Sequence, residues 1–188
     1  MYKTTDFRKG LKIEIEGKPY LIVESVHVNP GKGSAFVKTR LKNLETNLVI
    51  ERTFKAGVDT VGVPDLEQKE MEFMYTDRDG FHFMDQETYE SIQLSEEQVG
   101  DSKYYLQEGI KIIILYFNGK PISLELPNFV ELAVAETDPG LKGDTATGGM
   151  KKAVMTTGLR INVPLFIKEG EVLRIDTRSD EYMERVKK

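Results

Sequence analysis

Residues 11–43 are LKIEIEGKPYLIVESVHVNPGKGSAFVKTRLKN, and the alternation within this stretch decides the fold class. Leu11, Ile13 and Ile15 alternate with Lys12, Glu14 and Glu16, the two-residue period of a strand with one face buried and the other in water. Gly17-Lys18-Pro19 turns the chain. Residues 20–28 (YLIVESVHV) supply a second strand, rich in β-branched side chains. Residues 29–33 (NPGKG) turn it again, and 34–43 form a third strand. In that turn Asn29-Pro30-Gly31-Lys32 fits type II geometry: Pro30 fixes φ at the second position and Gly31 accepts the positive φ of the third. Gly33 adds another permissive position. Lys32 is left at a hairpin tip, where a polar residue is commonly surface decoration.

Working outward, a turn at 44–47 leads to a strand over 48–54. This many strands within roughly 60 residues predicts a small β-barrel or sandwich. Residues 63–67 (VPDLE) look like a linker, after which Met71, Phe73 and Tyr75 resume the alternation. Asp77-Arg78-Asp79-Gly80 and Asn118-Gly119 are hairpin turns. Ser95 with Gln98 three residues on predicts a helix N-terminus that Gly100 ends early, followed by a second helical turn over 102–107. A further linker at 127–129 precedes a strand ending at Pro139 and a glycine-rich loop from 140. The pattern is that of about fourteen short strands in three units of about 60 residues each.

Composition narrows the function. The 188 residues are 39% hydrophobic and 30% charged, with no run approaching a membrane span. The N-terminus carries no apolar leader, which points to the cytoplasm. With no cysteine and only His27 and His82 as histidines, disulfides, thiolate metal sites and histidine-rich metal sites are ruled out or disfavoured. The net charge of −5 hides a polarised chain. Residues 1–64 carry 11 Lys/Arg against 7 Asp/Glu, residues 65–128 carry 5 against 14, and residues 129–188 carry 10 of each. A basic first third is able to face a phosphate backbone while the acidic middle turns from it.

No catalytic constellation emerges. Gly31-Lys32-Gly33-Ser34 lacks the leading glycine of a phosphate-binding loop, Val26 standing there, and Gly33 replaces the Ser or Thr that should follow the lysine. Asp77–Gly80 has no acidic ladder for calcium. Ser95, Ser102 and Ser123 have no histidine motif near them, and His27 and His82, each between two apolar residues, fit structural roles. The acidic residues of 85–108 fit a solvated face. Phe36, Tyr104, Tyr105, Tyr116 and Phe117 are either base-stacking platforms or core, and aromatics in strands are more often core. The loop KGDTATGG (142–149) offers backbone N–H groups and hydroxyls to nucleic acid.

Taken together, five segments in order resemble the bacterial elongation factor P family: DFRKGLKIEIEGKPYLIVE (6–24), PGKGSAF (30–36), GFHFMDQETYE (80–90), LPNFVELAVAETDPGLKGDTATGG (126–149) and KKAVMTTGLRINVPLFIKEG (151–170). The resemblance implies an all-β chain of three small barrels in an L-shaped, tRNA-like arrangement. These are an SH3-like (KOW-like) domain over 1–64, an acidic central OB-fold over 65–127 and a C-terminal OB-fold over 128–188. It implies binding to the 70S ribosome and its RNA between the P and E sites, with relief of stalls on consecutive prolines. The loop Pro30, Gly31, Lys32, Gly33 then reaches the CCA end of the P-site peptidyl-tRNA, and Lys32 aligns with the family's modified basic residue. Gly143, Asp144 and Thr145 align with the loop facing the E-site mRNA codon, and Tyr182 and Arg185 with positions contacting P-site tRNA. The resemblance further implies a lysine-modifying enzyme as partner, a monomer, no membrane, and no catalytic residue, cofactor or metal. A lysine at the tip sets aside the branch that attaches rhamnose to arginine, and leaves β-lysyl, aminopentanol or no modification open. The rival readings are the elongation-factor-P-like paralogue and a general single-stranded nucleic-acid binder.

Overall fold

The structure, a computed structural model, describes residues 1–139 and 149–186. Its described residues form sixteen strands and little helix, gathered into two compact units: Met1–Lys69 with Ile114–Ser123, and Glu70–Ile113 with Leu124–Lys188.

The first unit holds β1 (Tyr2–Lys3), β2 (Lys12–Ile15), β3 (Lys18–Val28), β4 (Phe36–Asn43), β5 (Val49–Lys55) and β6 (Thr60–Val61). β2 to β5 form an antiparallel sheet in chain order, and β1 pairs β6. Glu14 and Gly62 exchange both backbone hydrogen bonds, at 3.0 and 2.9 Å, so the strip after β6 closes on β2. The alternation of the opening stretch is observed directly: Leu11, Ile13 and Ile15 are buried with Ile22, Val37, Leu41 and Phe54, and Phe7 meets Phe54 edge-on at 5.1 Å. The turn at 44–47 is built by Asn43, whose Oδ1 accepts from the N–H groups of Glu45 and Thr46 at 2.8 and 3.0 Å.

Next along the chain come β7 (Leu66–Thr76), β8 (Phe81–Met84), β9 (Ser91–Leu94), α1 (Glu96–Val99), β10 (Lys111–Phe117) and β11 (Lys120–Glu125). Their sheet runs β11-β10-β7-β8-β9. β10 lies inside the sheet between β11 and β7, and its near-continuous apolar run is buried from Ile114 to Phe117. Its Asn118-Gly119 tip has both residues at positive φ, 49° and 75°, the signature of the predicted two-residue turn. Ser95 and Gln98 form the predicted reciprocal capping box on α1, and Gly100 ends the helix. The second helical turn is a 3-10 segment over Gly100–Tyr105.

The last sheet contains β12 (Phe129–Thr137), β13 (Met150–Met155), β14 (Arg160–Pro164), β15 (Val172–Asp176) and β16 (Glu181–Arg185), ordered β14-β13-β12-β15-β16. β14 and β16 also touch, curling the sheet into a barrel around Leu132, Val163, Ile167, Leu173 and Ile175. Tyr105, from the 3-10 segment, joins this core. No helix among the described residues is long and apolar enough to cross a membrane.

Candidate functional site

β3 and β4 form the longest hairpin arm of the first unit. Their pairing skips one residue between Ile22 and Glu24, leaving Val23 as a bulge that bends the strand. Beyond it the pairing continues from Glu24↔Arg40 to Val28↔Phe36. β5 supports β4 along this length, down to Phe36↔Lys55. Residues 29–35 thus connect two strands braced by a third, and the N–H of Ala56 donates to the carbonyl of Ala35 at 2.9 Å.

Residues 29–34 are all exposed. The positive φ of the loop falls on Gly33, at 105°, and not on Gly31, and no backbone hydrogen bond joins Lys32 to Asn29. The expected type II turn is therefore not the one adopted. A type II turn closes in four residues, whereas seven separate Val28 from Phe36, so the chain bends gradually and reverses at Gly33. A Cβ at Gly33 would lie 4.0 Å from Pro30 Cγ. Space would admit it, and the backbone conformation is what calls for glycine. Lys32 is exposed and has no ion pair or hydrogen bond among the described residues. Lys55 pairs with Phe36 directly beneath the loop, where its N–H donates to Asp59 Oδ2 at 2.7 Å, and the Lys38 ammonium lies 5.9 Å from the Phe36 ring centre.

In the second unit, Tyr182 and Arg185 share β16. Tyr182 pairs with Ile175 and packs part-buried on the barrel core. The Arg185 guanidinium donates to Glu171 Oε1 at 2.8 Å and lies 5.9 Å from the Phe166 ring centre. The N–H of Lys168, foremost, and Arg185 as well hold the Glu171 carboxyl below its ordinary range. The Glu171 bond and the Phe166 ring together hold the Arg185 side chain in place. No local motif marks this pair, because 14 residues separate Arg185 from Glu171. Gly143, Asp144 and Thr145 lie outside the described residues.

The remaining candidates sort by burial. Tyr105, Tyr116 and Phe117 are core, at 4%, 4% and 6% exposure, which leaves Phe36 and Tyr104 of the five proposed stacking platforms. His27 is exposed on β3. His82 stacks on Tyr75 with ring centres 4.5 Å apart and places Nε2 3.0 Å from Asp77 Oδ2. That contact is the foremost cause lowering the Asp77 carboxyl. The described residues contain no group of three or more His, Asp or Glu able to hold a metal ion.

Three family models cover nearly the whole chain: the elongation factor P KOW-like domain over residues 3–59, the elongation factor P OB domain over 66–124, and the elongation factor P C-terminal model over 130–185. The chain belongs to the elongation factor P family. Among its relatives, elongation factor P of Bdellovibrio bacteriovorus is 55% identical over 186 residues, covering 99% of this chain and 98% of the relative. That of Moorella thermoacetica is 55% identical over 185 residues, covering 98% and 100%. Among solved structures, translation initiation factor 5A of Methanococcus jannaschii superposes with a TM-score of 0.55 at 20% identity, over 66% of this chain and 91% of that one. The last likeness speaks to the fold alone. The family matches establish a translation elongation factor of all-β, multi-domain build, with the KOW-like and OB domains in the predicted order.

Proposed function

We propose that this chain binds the ribosome between the P and E sites and promotes peptide-bond formation at stalls on consecutive prolines, by holding the CCA end of the P-site peptidyl-tRNA. The observation that carries this reading is Lys32: an unpartnered cation at the end of a braced hairpin, between two glycines, in a chain of this family. The three modules are residues 1–64, 65–127 and 128–188. Gly143, Asp144 and Thr145 face the E-site codon, and Tyr182 and Arg185 meet the P-site tRNA. The chain works in the cytoplasm as a monomer and is not an enzyme.

Positioning is sufficient for this task. Ribosomal RNA performs the bond formation, so the factor need supply neither acid nor base. Proline is a poorly placed nucleophile with a constrained backbone, and restraining the peptidyl end near its attack geometry removes an entropic part of the barrier. About 2–3 kcal/mol from that source raises the rate roughly 30- to 150-fold. A lysine reaches about 6 Å beyond its Cα, so an enzyme that lengthens Lys32 while keeping its charge extends the contacts available to phosphate and ribose. A general single-stranded nucleic-acid binder would need exposed stacking faces, and three of the five candidate aromatics are buried.

Lys32→Ala is the test. In reconstituted translation of a message with three consecutive proline codons, the native protein shortens the stall and Lys32→Ala does not. Full relief by Lys32→Ala would refute the mechanism.

A further inference from the structure

The arm that carries Lys32 ends on one rung outside the ladder of β4 and β5. Phe36 opposes Lys55 inside the ladder, and just beyond it the N–H of Ala56 donates to the carbonyl of Ala35 at 2.9 Å. This rung is the nearest to the exposed residues 29–34, so the position of Ala56 sets where the loop rejoins the barrel. β5 stops at Lys55, and the ladder no longer holds the chain there. Two side chains from outside the four-stranded sheet hold it instead. On one side of Ala56, Asp59 Oδ2 accepts from the N–H of Lys55 at 2.7 Å. On the other, Thr4 Oγ1 accepts from the N–H of Gly57 at 3.0 Å.

Both clamps grow from one place in the fold. Thr4 directly follows β1 and Asp59 directly precedes β6, and those two strands pair through Lys3↔Thr60. The small two-stranded sheet therefore grips Ala56 through both of its neighbours. Residues 55–59 close as a turn: the carbonyl of Lys55 accepts from the N–H groups of Val58 and Asp59 at 3.3 and 3.1 Å, and Gly57 takes a φ of 73°. Thr4 is 1% exposed although polar, and its hydroxyl reaches across 53 residues of sequence. A buried hydroxyl is held in place by the bond it makes, and this one ends one residue from the rung beneath the tip.

We propose that Thr4 and Asp59 are positioning residues for Lys32: acting through Ala56, they fix the direction in which the arm presents the tip. The inference rests on the role proposed for Lys32. A factor that works by restraint loses rate as its reacting end regains freedom. A tilt at Ala56 passes to the whole loop, because no backbone hydrogen bond among the described residues ties 29–34 to the barrel. Neither side chain needs to touch RNA for this effect. Loss of a clamp lowers the rate at saturating factor and leaves the half-saturating concentration in place, since the proposed function spreads ribosome binding over all three modules.

The test has two arms on the full chain. The sequence holds no cysteine, so Lys9→Cys with Lys32→Cys, both at exposed positions, takes nitroxide labels at those sites alone. Lys9 is a fixed reference, because the N–H of the adjacent Gly10 donates to the carbonyl of Ile22 at 2.8 Å. Double electron–electron resonance reads the distribution of distances between tip and barrel. Asp59→Ala and Thr4→Val broaden it. Asp59→Asn, which keeps an acceptor oxygen for the Lys55 N–H, leaves it narrow, as does Ile13→Val, which trims the buried core and touches neither clamp. In the unlabelled chain, Asp59→Ala and Thr4→Val lower the saturating rate of proline-stall relief severalfold at an unchanged half-saturating concentration, and Asp59→Asn restores it. An unchanged width in Asp59→Ala and Thr4→Val, or equal broadening by Ile13→Val, overturns the clamp. Broadening with an undiminished saturating rate overturns the positioning role. Full relief by Lys32→Ala refutes the function of the tip and leaves the width measurements standing, so the two proposals fail separately.

Discussion

Tyr105→Phe removes one oxygen and leaves the ring. The side chain is 4% exposed within the C-terminal barrel core, and its hydroxyl donates to Asp180 Oδ1 across 75 residues of sequence. A hydrogen bond to a charged acceptor contributes about 1.5–3 kcal/mol. Asp180 borders an open cleft, where water replaces the lost donor, so the expected cost at neutral pH is about 1–2 kcal/mol. Tyr105→Ala also empties the ring's place and costs about 3–5 kcal/mol. The same segment is held by two further contacts, Thr157 Oγ1 to the carbonyl of Tyr104 at 2.5 Å and Gln107 Nε2 to the carbonyl of Glu131 at 2.8 Å. The loss from Tyr105→Phe is therefore one of stability and not of fold.

The pH dependence separates this account from a simple packing defect. Burial foremost, and the bond donated to Asp180, push the Tyr105 hydroxyl above its ordinary value of 10.0. The folded state then holds the proton more tightly than the unfolded state. The hydroxyl's stabilisation is complete below pH 10 and is lost as pH rises from there toward the folded value. In that window native stability falls against Tyr105→Phe by about 1.4 kcal/mol per pH unit, and titrations common to both proteins cancel. Urea unfolding of the two proteins between pH 7 and pH 11 reads the difference directly, with equal m-values showing that the unfolded states match. A gap of 1–2 kcal/mol at pH 7 that closes above pH 10 is expected. A gap that is absent at pH 7, or constant across the range, refutes the reasoning.

Other perturbations give sharp outcomes. Lys32→Ala leaves the melting temperature unchanged, because its side chain has no partner to lose. Gly80→Ala places a Cβ 2.4 Å from the carbonyl oxygen of Leu94 at a φ of 145°, and urea unfolding shows a loss of roughly 2–3 kcal/mol. Asp176 is held at about 2, first by hydrogen bonds from the Arg178 guanidinium and then by the Arg178 N–H. Its contribution is therefore present above the ordinary carboxylate value and lost as pH falls toward 2. Asp176→Asn flattens the acid limb of the stability curve in that window, as unfolding at pH 2 to 5 shows.

Local physics made the strands legible. A period of two requires one face inward, and Leu11, Ile13 and Ile15 obey it. Ser95 with Gln98, and Asn118 with Gly119, carry their geometry in two or three adjacent residues. The tip was harder for a definable reason. Pro-Gly fits a four-residue turn anywhere, but the closing pair is set by where β3 and β4 stop pairing, and that depends on the bulge at Val23 and the support of β5. The aromatics divided by strand position, a property of the whole sheet: Tyr116 and Phe117 lie on β10, flanked on both sides by strands, whereas Phe36 begins the arm beneath the tip. Tyr105 with Asp180 and Arg185 with Glu171 join segments that share no local pattern, so only the fold brings them together.

Under the function proposed above, the architecture of the arm favours a side chain over a longer loop as the means of reach. β4 is paired on both sides down to Phe36, and Ala35 is bonded to Ala56, so the last ordered rung lies directly under the loop. Lengthening seven residues of loop would add reach but also conformational freedom that binding must remove. Extending the lysine adds reach from a fixed base and keeps the charge at the end. Under the function proposed above, a modified Lys32 on an unchanged arm carries a cation further from the barrel at little ordering cost. The glycine at residue 33 lets the backbone reverse without a side chain competing for the same space.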